Sequence, residues 1–228
     1  MVLCVDDVNG TEEKVSTDRI TSLQNGRIKN VAKLAKRRTR DKQQRTVVEG
    51  VREVSRALAC GVVPVEAFFC LEHLPDTPLS QSTFAQLKAL DDQGACQLFQ
   101  VPPSVFERMA YRGDSGGLLL VIPYQSHTLQ QIPKRPTAFY ALVEGSEKPG
   151  NLGAILRTAD GAGVGGVFAC AAEGQVATDL HNPNVIRASL GTLFHLPIAE
   201  TSSSVAIEWL RANDIAIVAA TPEAQRPY

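Results

Sequence analysis

A compact apolar strand that runs into a glycine- and proline-punctuated loop, and from there into a helix, constrains this chain more than any other feature. Phe139 to Val143 is the strand, Gly145, Pro149 and Gly150 mark the loop, and Leu152 to Ala162 is the expected helix. Similar segments follow: strand Val167–Cys170, helix Val185–Thr192, strand Leu193–Ile198, helix Val205–Asn213 and strand Ile215–Ala220. Near-continuous apolar strands separated by helices predict an α/β domain whose parallel sheet is covered on both faces. A dinucleotide-binding unit would need G-x-G-x-x-G directly after its first strand. Gly150, Gly153 and the remote Gly161 do not fit that pattern, and there is no phosphate-loop lysine motif.

The first half also alternates. Thr46–Val48, Val65–Cys70, Cys96–Val101 and Gly117–Ile122 read as strands, and helices are expected from Val51 to Cys60, Ser82 to Asp92 and Pro103 to Met109. From Ile20 to Lys42 a single basic helical segment is expected, with Ile28, Val31, Leu34 and Ala35 at helical spacing. Pro123, Pro133 and Pro136 bracket a stretch with few apolar residues, which marks a linker. The expected organisation is a loosely ordered leader at 1–18, one domain at 19–122, the linker at 123–136 and a second domain at 137–228.

Within the second domain, Asn151 sits where a helix N-cap is expected, since its side-chain oxygen can accept from a free backbone N–H. Arg157 lies nearly two turns further on and projects from a nearby face. The segment from Glu144 to Asp160, with Asn151, Gly153 and Arg157-Thr158-Ala159, resembles the first signature of the SpoU/TrmH class of SPOUT RNA methyltransferases. A second stretch, Arg187-Ala188-Ser189-Leu190-Gly191, resembles the Arg-Ala-Ser-x-Gly segment of the same class. The first half resembles the substrate-binding domain that often precedes it, similar to ribosomal protein L30e and L7Ae, on the phrases Ile20–Asn25, Val48-Glu49-Gly50 and Gly116–Val121.

The resemblance implies methyl transfer from S-adenosyl-L-methionine to a ribose 2′-hydroxyl of rRNA or tRNA, and a homodimer formed through the second domain when that domain is complete. It carries over Asn151 and Arg157 as catalytic residues, with Glu144, Arg187 and Ser189 as supports and Thr221 at the cofactor. A guanidinium is ordinarily always protonated, so gripping a phosphate and stabilising an oxyanion is as defensible for Arg157 as acting as a base. In the resembled class the fourth strand leads on to a Gly-x-Glu strand and a Ser-Leu-Asn segment that close a knot around the cofactor. Neither is present by Tyr228, so the expectation is the front part of a longer enzyme, the alternative being a non-catalytic RNA-binding protein with a vestigial second domain.

Charge points to the same partner. The net charge is −1, yet nine basic residues and one acid, Asp41, lie between Arg27 and Arg45, a local charge of +8. Lys29, Lys33, Lys36, Arg37, Arg38 and Arg40 within it are the candidate RNA-phosphate contacts. No apolar run approaches the ~18–20 residues of a membrane helix, and the start lacks the basic region of a signal peptide. Five cysteines (Cys4, Cys60, Cys70, Cys96 and Cys170) are scattered without metal-ligand spacing. That pattern predicts reduced thiols, no metal and a cytoplasmic location.

Overall fold

The structure is a computed structural model that describes residues 18–111, 115–145, 148–171 and 179–220. Residues 1–17 of the expected leader and Thr221 lie outside the described residues.

The first half forms a mixed five-stranded sheet in the order β1-β4-β3-β5-β2. Its strands are β1 (Asp18–Arg19), β2 (Arg45–Glu49), β3 (Glu66–Phe69), β4 (Gln97–Gln100) and β5 (Leu118–Pro123). β1, β4 and β3 run parallel, while β5 pairs antiparallel with both β3 and β2. Side chains alternate across a strand, and β5 shows the consequence. Leu118, Leu120 and Ile122 join the core beneath α3 (Val51–Ala59) and α4 (Pro78–Asp92). Leu119 and Val121 face the opposite core, under α1 (Gly26–Lys33) and α5 (Pro103–Met109).

The expected basic helix is interrupted. α1 ends at Lys33, and α2 (Arg37–Gln43) starts after an extended Lys36 at φ −89°, ψ 125°. Ile20 extends the sheet instead, donating its N–H to Gln100 O. The break is held open by Arg40, whose Nη1 donates to Leu34 O and Ala35 O, each at 2.9 Å. Those carbonyls lie just past the end of α1, where the helix itself supplies no partner.

The second half carries a parallel sheet in the order β6-β7-β8 (Tyr140–Glu144, Gly166–Ala171, Ile198–Ser202). Central β7 is covered on both faces. Val167 and Ala169 pack with Leu152 and Leu156 of α6 (Pro149–Gly161) and with Val185 and Ile186 of α7 (Pro183–Ala188). Phe168 and Cys170 pack with Ala206 and Leu210 of α8 (Ser203–Ala212). Two expectations change here. Leu193–Ile198 opens as a tight 3-10 turn, Thr192–Phe194, and the strand begins only at Ile198. Ile215–Ala220 forms no ladder although its composition is that of a strand; Ile217 and Val218 are exposed beside the free edge of β6. Apolar residues favour a strand, but only a bonded neighbour makes one.

The linker is packed rather than loose. Ile132 is buried beneath the α8 layer, and His127 bridges to Ala199 of β8. The two halves also share one continuous apolar cluster, from Val54 and Leu118 to Leu152 and Ile186. α7 packs against β2, the edge strand of the first sheet. At this seam lie the Arg40–Asp179 ion pair, a hydrogen bond from Thr46 Oγ1 to His181 O at 2.6 Å, and Tyr124 stacked on His181 with ring centroids 3.6 Å apart. Burial at the seam holds the His181 imidazole below its ordinary pKa and pushes the Glu200 carboxyl above its own.

Candidate RNA-binding cleft

Helix α6 begins at Pro149, whose fixed φ suits the first helical position. The N-cap is therefore Lys148, and Asn151 lies within the first turn, exposed and without a capping bond. Leu152, Leu156 and Ala159 turn inward at helical spacing, which leaves Arg157 on the outward side, exposed rather than core-facing. Gly153 is where α6 meets α7. A Cβ there would stand 2.4 Å from Ala188 Cβ and 2.8 Å from Ser189 N. Only a residue without a side chain allows the two helices so close.

On α7, Asn182 is a true cap, its side chain accepting from Asn184 N at 2.9 Å, and Pro183 follows at the first helical position. Arg187 falls in the last turn and Ser189 just beyond it. Ser189 is fully buried and donates Oγ to Ile186 O at 2.7 Å, so it braces the helix end and does not face the cleft. The turn that follows holds Leu190 and Gly191 at positive φ, 56° and 80°. Arg56 of α3 fixes it by donating to Leu190 O at 2.7 Å.

These helices enclose an open cleft of about 420 Å³, into which Arg157, Arg187 and Asn184 project. Pro149, Gly150, Ala188 and Leu190 complete its lining. A third guanidinium, Arg52, enters from α3 of the first half. The carboxylates near these arginines stand behind them. Glu53, with its side chain 7% exposed, pairs with Arg52 at 3.0 Å, and Glu49, 4% exposed, lies 3.9 Å from Arg187 Nη1. Glu49 is itself fixed by Tyr111 N, which donates to its Oε2 at 2.7 Å. No aspartate, glutamate or histidine lines the cleft among the described residues. Its chemistry is therefore that of an anion receptor with planar, permanently charged donors.

The expected supports are only partly assembled. Arg157 and Arg187 meet in the cleft, but Asn151 is absent from its lining. Glu144 does not brace Arg157; its carboxylate accepts from Ser203 Oγ at 2.7 Å, at the start of α8. Of the basic block, Lys29, Lys33, Lys36 and Arg38 are exposed, and Arg37 is half-buried beside Asp41 at 3.5 Å. Arg40 departs from expectation. It is 1% exposed and paired with Asp179, so it is a structural tie and not an RNA contact. None of these six residues lines the cleft, because α1 covers the sheet face opposite α3. Arg52 was missed. Its one local signal is the strand–Glu49–Gly50–helix turn, where Gly50 adopts φ +101° and the chain re-enters a helix.

Two family models match separate stretches of the chain. Residues 25–119 match the MRM3-like substrate binding domain, and residues 138–228 match the SpoU rRNA methylase family. A solved RNA 2′-O ribose methyltransferase is 36% identical with a TM-score of 0.74, over 91% of this chain and 74% of that one. The AdoMet-bound rRNA methyltransferase of Sinorhizobium meliloti is 25% identical with a TM-score of 0.71, over 86% of this chain and 69% of that one. Mouse (Mus musculus) mitochondrial rRNA methyltransferase 3 is 29% identical over 197 residues, which are 80% of this chain and 40% of that protein. The chain thus spans less than half the length of that relative.

Proposed function

This chain belongs to the SpoU rRNA methylase family, and on that footing we propose that it serves methyl transfer from S-adenosyl-L-methionine to a ribose 2′-hydroxyl of RNA. The observation that carries the reading is convergence. The arginines of both signature segments, Arg157 on α6 and Arg187 on α7, project into one cleft.

The hydroxyl is a weak nucleophile that must lose its proton and be held in line with the incoming methyl carbon. Among the described residues the cleft offers positive charge and planar donors but no carboxylate or imidazole. Its residues therefore bind and orient. Arg187 and Asn184 hold the RNA backbone, and Arg157 stabilises the oxygen as negative charge develops on it. The exposed lysines and arginines of α1 and α2 extend the phosphate footprint over a separate face.

The methyl donor would supply an electrophilic methyl group when bound; the arginine cleft fits the RNA acceptor and not the donor's body, so its residues serve the acceptor side of the reaction. Guanidiniums repel a sulfonium cation, and among the described residues the cleft has no aromatic ring to hold an adenine. Homodimer formation through the second domain remains part of the proposal on the family resemblance.

Labelled S-adenosylmethionine and rRNA, followed by nuclease digestion and mass spectrometry of the nucleosides, test the reading. A 2′-O-methylated nucleoside is the expected product. A methyl group on a base would contradict it, and RNA binding with no transfer would favour the non-catalytic alternative.

A further inference from the structure

Three features of the molecule invite a role beyond the two signature arginines: the apolar groove along β6, the buried seam around His181, and the third wall of the arginine cleft. The third carries furthest. We infer that Arg52, contributed by the first domain, is a phosphodiester-binding residue of the substrate cleft, closing a three-guanidinium clamp with Arg157 and Arg187.

Arg52 stands in the first turn of α3, two residues after Gly50, whose φ of +101° turns the chain sharply from β2 into the helix. A Cβ on Gly50 would lie 2.6 Å from Glu53 Oε2. Glycine at this point therefore lets the Glu53 carboxylate fold back under the helix start. From there Glu53 Oε1 accepts from both Arg52 Nε, at 3.3 Å, and Arg52 Nη2, at 3.0 Å. That paired contact fixes the plane of the guanidinium and leaves Nη1 and the outer edge unclaimed by Glu53. The Arg52 side chain is 53% exposed, against 7% for Glu53, so the charge is displayed and its counter-charge is covered.

The last turn of the same helix is tied to the opposite wall. Arg56 holds Leu190 O, and a Cβ on Gly191 would lie 3.1 Å from Arg56 Cβ. Arg52 is thus carried at a fixed station relative to Arg187 rather than on a mobile loop. Three permanently charged forks around a cleft of about 420 Å³ match the oxygens of an RNA backbone. The first domain then supplies more than a distant RNA-binding face, because it completes the grip beside the reacting nucleotide.

This inference rests on the RNA reading of the cleft, and the test separates the two. Affinity of the whole chain for a fluorescein-labelled rRNA stem-loop is measured by anisotropy across a salt series. Arg52→Ala should lower the magnitude of the log–log salt slope by about 0.7–0.9, one phosphate contact. Arg52→Lys should keep the slope near wild type while weakening affinity severalfold, since a point charge cannot reproduce the fork. Glu53→Gln removes the ion pair but keeps Arg52, and should keep the slope. A merely structural Arg52–Glu53 pair would instead make Arg52→Ala and Glu53→Gln alike, with lower melting temperatures and unchanged slopes. That result, with wild-type RNA binding intact, overturns the role of Arg52 alone. Failure of the wild-type chain to bind RNA overturns this inference and the RNA reading of the cleft together.

Discussion

Arg40, within α2, ties that helix to the end of α1 and to Asp179 ahead of α7. A buried guanidinium is tolerated because Nη1 meets two carbonyls and Nη2 a carboxylate, although Nε has no hydrogen-bond partner among the described residues. Removing the carboxylate should be more damaging than removing the pair. Asp179→Ala should lower unfolding free energy by about 3 kcal/mol, as expected for a buried charge left without its partner. Arg40→Leu combined with Asp179→Leu should recover part of that loss. Urea titration of both variants reads the difference, and equal losses would mean that the pair's charge is not what holds the seam. In the sequence Arg40 looks like its neighbours Arg37 and Arg38. Its partner lies 139 residues away, so no local pattern could have set it apart. Asn151 misled in a smaller way: Pro149, two residues earlier, is the better helix starter and moved the cap to Lys148.

At the scale of elements, the close approach of α6 and α7 positions the two signature arginines together, and Gly153 permits it. Gly153→Ala should lower stability by about 1–3 kcal/mol through overpacking against Ala188. It should also weaken RNA binding, because α6 must shift and carry Arg157 with it. Gly161→Ala, in the same helix with nothing within 4 Å of the added carbon, should be neutral or stabilising by up to about 1 kcal/mol. Thermal melting and RNA titration of the two variants provide the check; matching behaviour would show that the helix contact does not shape the cleft. Regular elements were legible where local rules sufficed. α5 was expected from Pro103 to Met109 and has those bounds, and β7 lies within a residue or so of its expected span. Elements that depend on distant partners were not. The basic segment broke into α1 and α2 around Arg40, and Ile215–Ala220 has strand composition without a strand's bonds.

For the whole molecule, the two halves behave as walls of one site. The SpoU-type half supplies Arg157 and Arg187, the substrate-binding half supplies Arg52, and a shared apolar cluster with the Arg40–Asp179 pair fixes their relation. The sequence showed Arg157 and Arg187, because both sit in signature segments. It could not show that they meet across Gly153, nor that a third arginine faces them from a helix that starts 98 residues before α6. The central claim is that Arg157 acts on the developing oxyanion in the transition state. The most direct measurement is the rate of RNA methyl transfer by Arg157→Ala and Arg157→Lys, taken beside their melting temperatures and RNA affinities. Transfer should fall by orders of magnitude in both, with the fold intact and RNA affinity reduced far less than the rate. Near wild-type turnover by Arg157→Ala would contradict the account and leave Arg157 as one more phosphate contact on the surface.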